Sequence, residues 1–189
     1  MRALKITLAL AGLFCGLNVA SGQHARLGIG TPAAPDQIRG WDIDVRPDGL
    51  GLPPGTGTVE KGERIYAEQC AACHGEKGRD PAKGFDQLAG GRGTLATPRP
   101  VRTIGSNWPY ATTVFDYVRR AMPFPSPQSL TPDEVYSVVA YLLYINDIVP
   151  RETVLNAQTL PKVRMPNADG FIPDGRPDAE DMKCTRDCQ

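Results

Sequence analysis

The apolar positions of the chain fall into groups of very different kinds. From Ile6 to Ala20 they run almost continuously, preceded by Arg2 and Lys5 and followed by the small residues Ala20, Ser21 and Gly22. A basic start, an apolar run and a small-residue cleavage site form the pattern of a secretory signal peptide. The run is also shorter than the roughly 20 residues needed to span a bilayer. Residues 1–22 are therefore expected to be cleaved on export. Residues 23–57 show no helical or strand periodicity; Pro and Gly turn signals follow one another from Thr31-Pro32 to Pro54-Gly55. Residues 148–189 read the same way, broken by Pro150, Pro161, Pro166, Pro173 and Pro177.

Helical patterning is confined to residues 58–147. A first helix is predicted from Thr58, an N-cap candidate, through Val59, Gly62, Ile65 and Tyr66 towards Cys70. A second spans Pro109 to about Ala121, with Val114, Phe115 and Val118 on one face. The third has the clearest start: Thr131-Pro132-Asp133-Glu134 sets an N-cap hydroxyl, a Pro at the first helical position and a Glu for a capping box. Leu130 and Val135 are spaced as a hydrophobic staple, and Val135, Val138, Val139, Leu142, Leu143 and Ile145 follow a 3.6-residue period until Asn146-Asp147. No segment alternates as a strand and no repeat is visible. The prediction is an all-α domain over 58–147, flanked by extended arms at 23–57 and 148–189.

Charge adds an exclusion. The 189 residues carry 21 Lys+Arg against 21 Asp+Glu. The signal segment takes two of those positive charges with it, leaving an excess of acid. Nucleic-acid binding would need a basic excess to neutralise phosphates. The scarce residues say more: five Cys and two His. Cys15 lies within the export signal, where the bulky Phe14 before it fits poorly with lipid attachment. Any chemistry that needs an imidazole must use His24 or His74.

His74 closes the motif Cys70-Ala71-Ala72-Cys73-His74. Two thiols at this spacing can add to the two vinyl groups of one haem, and the adjacent His is then placed to give the iron an axial nitrogen. A zinc ribbon would need a second pair, and Cys184 and Cys188 lie more than 100 residues away with no His between. A thioredoxin-like redox pair would need a preceding strand and a βαβ pattern. A Cys-x-x-Cys disulfide would close a loop too short to stabilise much. For the sixth ligand the candidates are Met122, Met165, Met182 and His24. Met122-Pro123 follows the second helix directly, whereas Met165-Pro166 sits in the C-terminal arm. His/Met ligation raises the reduction potential and leaves no open iron position, which favours outer-sphere electron transfer. Cys184 and Cys188 are expected to pair as a disulfide in an oxidising compartment.

Gly62, Tyr66, the Cys70–His74 motif, Ala121-Met122-Pro123, Leu130 to Glu134 and Tyr141-Leu142 together resemble class I cytochrome c over roughly residues 58–147. The resemblance implies that Gly62 and Tyr66 pack against the last helix near Tyr141, with the haem between them. It also makes Arg102 and Trp108 candidates for holding the haem propionates. A narrower resemblance runs through Gly40 to Gly49, Gly105 to Ala111, Arg119 to Phe124, Val163 to Asn167 and Gly170 to Asp174. These segments look like the cytochrome c subunit of periplasmic sulfur-oxidising dehydrogenases, the partner of a molybdenum subunit in the Sox pathway. Some members of that family carry a second haem domain; this chain has one Cys-x-x-Cys-His.

The expectation is a periplasmic monohaem cytochrome, not an enzyme alone. It would take electrons from a molybdenum subunit acting on sulfane sulfur or sulfite and pass them to a downstream cytochrome or oxidase. The arms would lie along that partner or wrap the haem domain. A free-standing electron shuttle is the alternative.

Overall fold

The computed structural model describes residues 29–173. The export signal, His24, Met182 and the Cys184/Cys188 pair lie outside the described residues. Residues 29–34, the described part of a first unit ending at Ala34, carry no helix or strand; all described elements lie in the second unit, Pro35–Gln189.

The chain opens with α1 (Pro35–Trp41), followed by β1 (Thr56–Thr58), α2 (Val59–Gln69) and the one-turn α3 (Ala71–His74). Then come α4 (Ala111–Ala121), α5 (Pro132–Tyr144) and β2 (Val154–Asn156). Short 3₁₀ turns occur at Glu76–Gly78 and Leu160–Lys162. Thr58 closes β1 in an extended conformation, and its hydroxyl accepts the Lys61 N–H at 3.2 Å, so one residue ends a strand and caps a helix. At α5 the capping box forms as expected: the Thr131 N–H reaches a Glu134 carboxylate oxygen at 2.8 Å while the Thr131 hydroxyl accepts the Glu134 N–H. Those hydrogen bonds hold the Glu134 carboxyl below its usual range.

Packing of α2 on α5 builds the centre. A Cβ placed on Gly62 would lie 1.8 Å from the Ser137 carbonyl oxygen and 2.9 Å from the Tyr141 Cβ, so the crossing closes only over glycine. The rings of Tyr66 and Tyr141 meet there at 5.1 Å. The apolar face of α4, led by Val114, Phe115 and Val118, joins the same core as Val135, Val138, Val139 and Leu142 of α5.

Three features depart from the sequence reading. The arms contain ordered elements: α1 lies within the N-terminal arm, and β1 pairs antiparallel with β2, Gly57 opposite Leu155. Gly57 lies hard against α5, where a Cβ would come within 2.1 Å of the Ser137 nitrogen. The second helix starts at Ala111 rather than Pro109, because Tyr110 is extended and forms a bridge with Arg164 of the C-terminal arm.

Residues 43–53 of the N-terminal arm and 155–167 of the C-terminal arm rest on the helical core. The Val45 N–H donates to Asp116 at 2.8 Å, Thr112 donates to the Pro47 carbonyl and Arg119 to the Ile43 carbonyl, each at 3.0 Å. Tyr136 donates to the Pro53 carbonyl at 2.9 Å. From the other arm, Leu155, Leu160 and Met165 are buried in the core, and Asn167 donates to the Asn107 carbonyl. The arms also meet each other, since a Cβ on Gly49 would strike Pro161. Trp41, by contrast, is 89% exposed, and α1 buries none of its residues.

Candidate functional site: a cofactor-sized cavity

The helices and the loops between them line a cavity of about 710 Å³, within the range of roughly 300–1,000 Å³ typical of ligand and cofactor sites. Cys70, Cys73, His74 and Met122 all line it, although 48 residues of sequence separate the last two. Leu88, Ile104, Val114, Val118, Val138 and Leu142 supply apolar walls, and Arg102, Trp108 and Gln87 add polar groups.

One side of the cavity is built by the break between α2 and α3. At Cys70 the backbone leaves helical geometry (φ −122°, ψ −37°), and one further turn carries Cys73 and His74. Gly75 ends that turn at φ +75°, with no room for a Cβ against the Arg79 carbonyl. The Tyr66 hydroxyl donates to the Gly75 carbonyl at 3.0 Å and pins the motif to α2. Cys70 and Cys73 are not joined to each other in a disulfide. Burial, with a smaller contribution from Cys73, pushes the Cys70 thiol up to about 11, so it stays protonated at neutral pH.

The His74 Nδ1 lies 2.9 Å from the Asp86 carbonyl oxygen. A carbonyl can only accept, so Nδ1 carries the proton and the lone pair belongs to Nε2. A backbone carbonyl that fixes tautomer and ring orientation is the usual outer-shell arrangement of a metal-ligating imidazole. Reading side-chain types along the sequence could not reveal Asp86, because it acts through its main chain.

The end of α4 supplies another part of the lining. Met122 adopts extended geometry (φ −123°, ψ 152°) and its N–H closes the helix on the Val118 carbonyl. Pro123, joined to it by a cis peptide bond, forbids continuation. Trp108 and Tyr117 pack edge to face at 5.7 Å beside it. Met165, the alternative thioether, is buried in the core and is absent from the cavity lining.

Two thiols, an imidazole with its Nε2 lone pair available, a thioether and an apolar chamber form a donor set that fits a haem. Residues 59–146 match the cytochrome c family model. Over 93 residues the chain is 32% identical to the thiosulfate dehydrogenase of Stutzerimonas stutzeri (strain A1501); the match covers 48% of this chain and only 28% of that protein. A chain in the crystal structure of the sulfane dehydrogenase SoxCD from Paracoccus pantotrophus is 46% identical, with a TM-score of 0.74, over 87% of this chain and 83% of that one. The protein belongs to the cytochrome c family, with the class I fold, and haem c is the cofactor of that family.

Among the described residues no helix is long and apolar enough to cross a membrane.

Proposed function

We propose that the chain carries one haem c, bonded through Cys70 and Cys73 and ligated by His74 and Met122. We propose further that it serves as the electron-transfer subunit of a periplasmic sulfur-compound dehydrogenase whose catalytic subunit holds molybdenum. One observation carries the reading: two thiols, an imidazole and a thioether face a single apolar cavity of cofactor size. The likeness to a chain of SoxCD supports the sulfur-oxidising context.

When bound, the haem supplies a one-electron Fe(III)/Fe(II) couple. The protein's own part is to hold and shield. Cys70 and Cys73 tether the ring, His74 offers Nε2 with its tautomer set by Asp86, and Met122 offers sulfur from the α4 terminus. Leu88, Ile104, Val138 and Leu142, which line the cavity, would exclude water around a bound haem and lower the local dielectric that tunes its potential. Arg102 and Trp108 stand on the cavity wall as partners for the propionates.

The test begins with the full chain expressed alongside haem-attachment machinery. It should carry one covalent haem by mass and show a low-spin, six-coordinate spectrum. Returned to its native periplasm, a tagged copy should co-purify with molybdenum, and its haem should be reduced on adding sulfane sulfur or sulfite. A five-coordinate spectrum overturns the ligand set. A haem-loaded chain that purifies without molybdenum and accepts electrons from unrelated donors makes it a free shuttle. For the arm's share in partner binding, the deletion should end at residue 41. Removal through residue 50 would also strip Asp116, Thr112 and Arg119 of their partners.

A further inference from the structure

Asn146 sits just past the end of α5, 5% exposed, and its side chain is bonded on every side. Its Nδ2 donates to the Leu142 carbonyl at 2.9 Å and to the Leu88 carbonyl at 3.1 Å. Its Oδ1 accepts the Gly90 N–H at 3.1 Å, and Arg92 donates to its backbone carbonyl at 2.9 Å. One amide thus satisfies a carbonyl left over at the helix end and grips two points of the 86–92 segment. That segment holds the Asp86 carbonyl, which fixes the His74 ring, and Leu88, which walls the cavity. The Leu88 carbonyl also accepts from Ile104, another wall residue. Gly105 leaves the amide room, since a Cβ there would lie 2.3 Å from Oδ1.

We infer that Asn146 is a positioning residue for the His74 imidazole, acting through the 86–92 segment, and so tunes the electron affinity of the haem. The inference rests on the ligand set proposed above. A firm Nδ1–H···O=C bond raises the basicity of a ligating imidazole. Loosening it weakens donation from Nε2 and favours the reduced iron.

Asn146→Asp is the sharpest probe, because it keeps the shape but turns the Nδ2 donor into an acceptor facing two carbonyls. Asn146→Ser removes the amide without adding charge, and Gly105→Ala pushes on it from the side, since a Cβ there overlaps its atoms. In haem-loaded protein, each should raise the reduction equilibrium constant at least threefold and quicken solvent exchange of the His74 Nδ1 proton in the NMR spectrum. Both effects should be largest for Asn146→Asp. Variants that lose stability or fail to accumulate with haem, with neither effect in those that can be measured, make Asn146 a structural cap and overturn the inference. A wild type lacking His/Met ligation would instead overturn the reading beneath it.

Discussion

Two stretches of the cavity lining, Cys70–His74 and the chain after Met122, are held in different ways. The Cys70–His74 wall is tied crosswise: Tyr66 bonds Gly75, the Asp86 carbonyl bonds His74, and Asn146 fastens the 86–92 segment to the end of α5. Along residues 123–130, the described backbone bonds are the short-range pairs Ser126 to Pro123 and Ser129 to Ser126, and Leu130 packs on the core. Phe124 stands 71% exposed within that stretch. The firm points are its ends, the α4 terminus on one side and the capping box on the other. The difference teaches that the imidazole is oriented by a long-range hydrogen bond of its own, and the thioether by its helix end and packing. The His74 ring carries its own tertiary hydrogen bond, whereas Met122 is held by its backbone bond to Val118 and by packing on the core.

Removing the ligands one at a time gives the largest contrast. His74→Ala should abolish the low-spin haem spectrum and leave little haem-loaded protein. Met122→Ala should keep the covalent haem, lose the six-coordinate signature and lower the potential, as loss of a thioether ligand does. Absorption spectroscopy and redox titration read both; equal damage from the two substitutions would erase the contrast. Next comes the scaffold behind the histidine wall. Gly62→Val would drive two helices apart at their closest point and should cost about 3 kcal/mol in denaturant unfolding.

The smallest effect belongs to the methionine side. Thr131→Ala removes the α5 cap and should cost about 1 kcal/mol at neutral pH. Glu134 is its reciprocal partner, with its carboxyl held low in the folded state. That contribution is present above the ordinary glutamate pKa of about 4.3 and is lost as pH falls through the lower folded value. The gap between wild type and Thr131→Ala should therefore narrow in acid, as thermal melts at a series of pH values would show.

Much of this was legible beforehand, and for local reasons. The box at Thr131–Glu134, the cap at Thr58 and the Cys-x-x-Cys-His spacing are short-range patterns whose chemistry is complete within a few residues. The close crossing at Gly62 entered through family resemblance, since a lone glycine in a helical pattern has several meanings. What escaped detection depends on distant partners. The β1–β2 ribbon is only three residues a side, and its Gly57 is required by α5, not by strand propensity. Tyr110 leaves the helical pattern because Arg164 pairs with it. Asn146 reads in sequence as a helix stop, and only the fold shows what its amide holds.

The ribbon has one more consequence, for the order in which the molecule assembles. It joins residues about a hundred positions apart, and everything proposed to touch the cofactor lies inside the loop it closes. Contacts so far apart along the chain cost loop entropy before they repay it, so they form late. On the proposed attachment through Cys70 and Cys73, late closure of the ribbon would leave both thiols within reach of attachment machinery while the chain is still open. The pairing of Thr58 with Val154 works as a latch, drawn once the interior is in place.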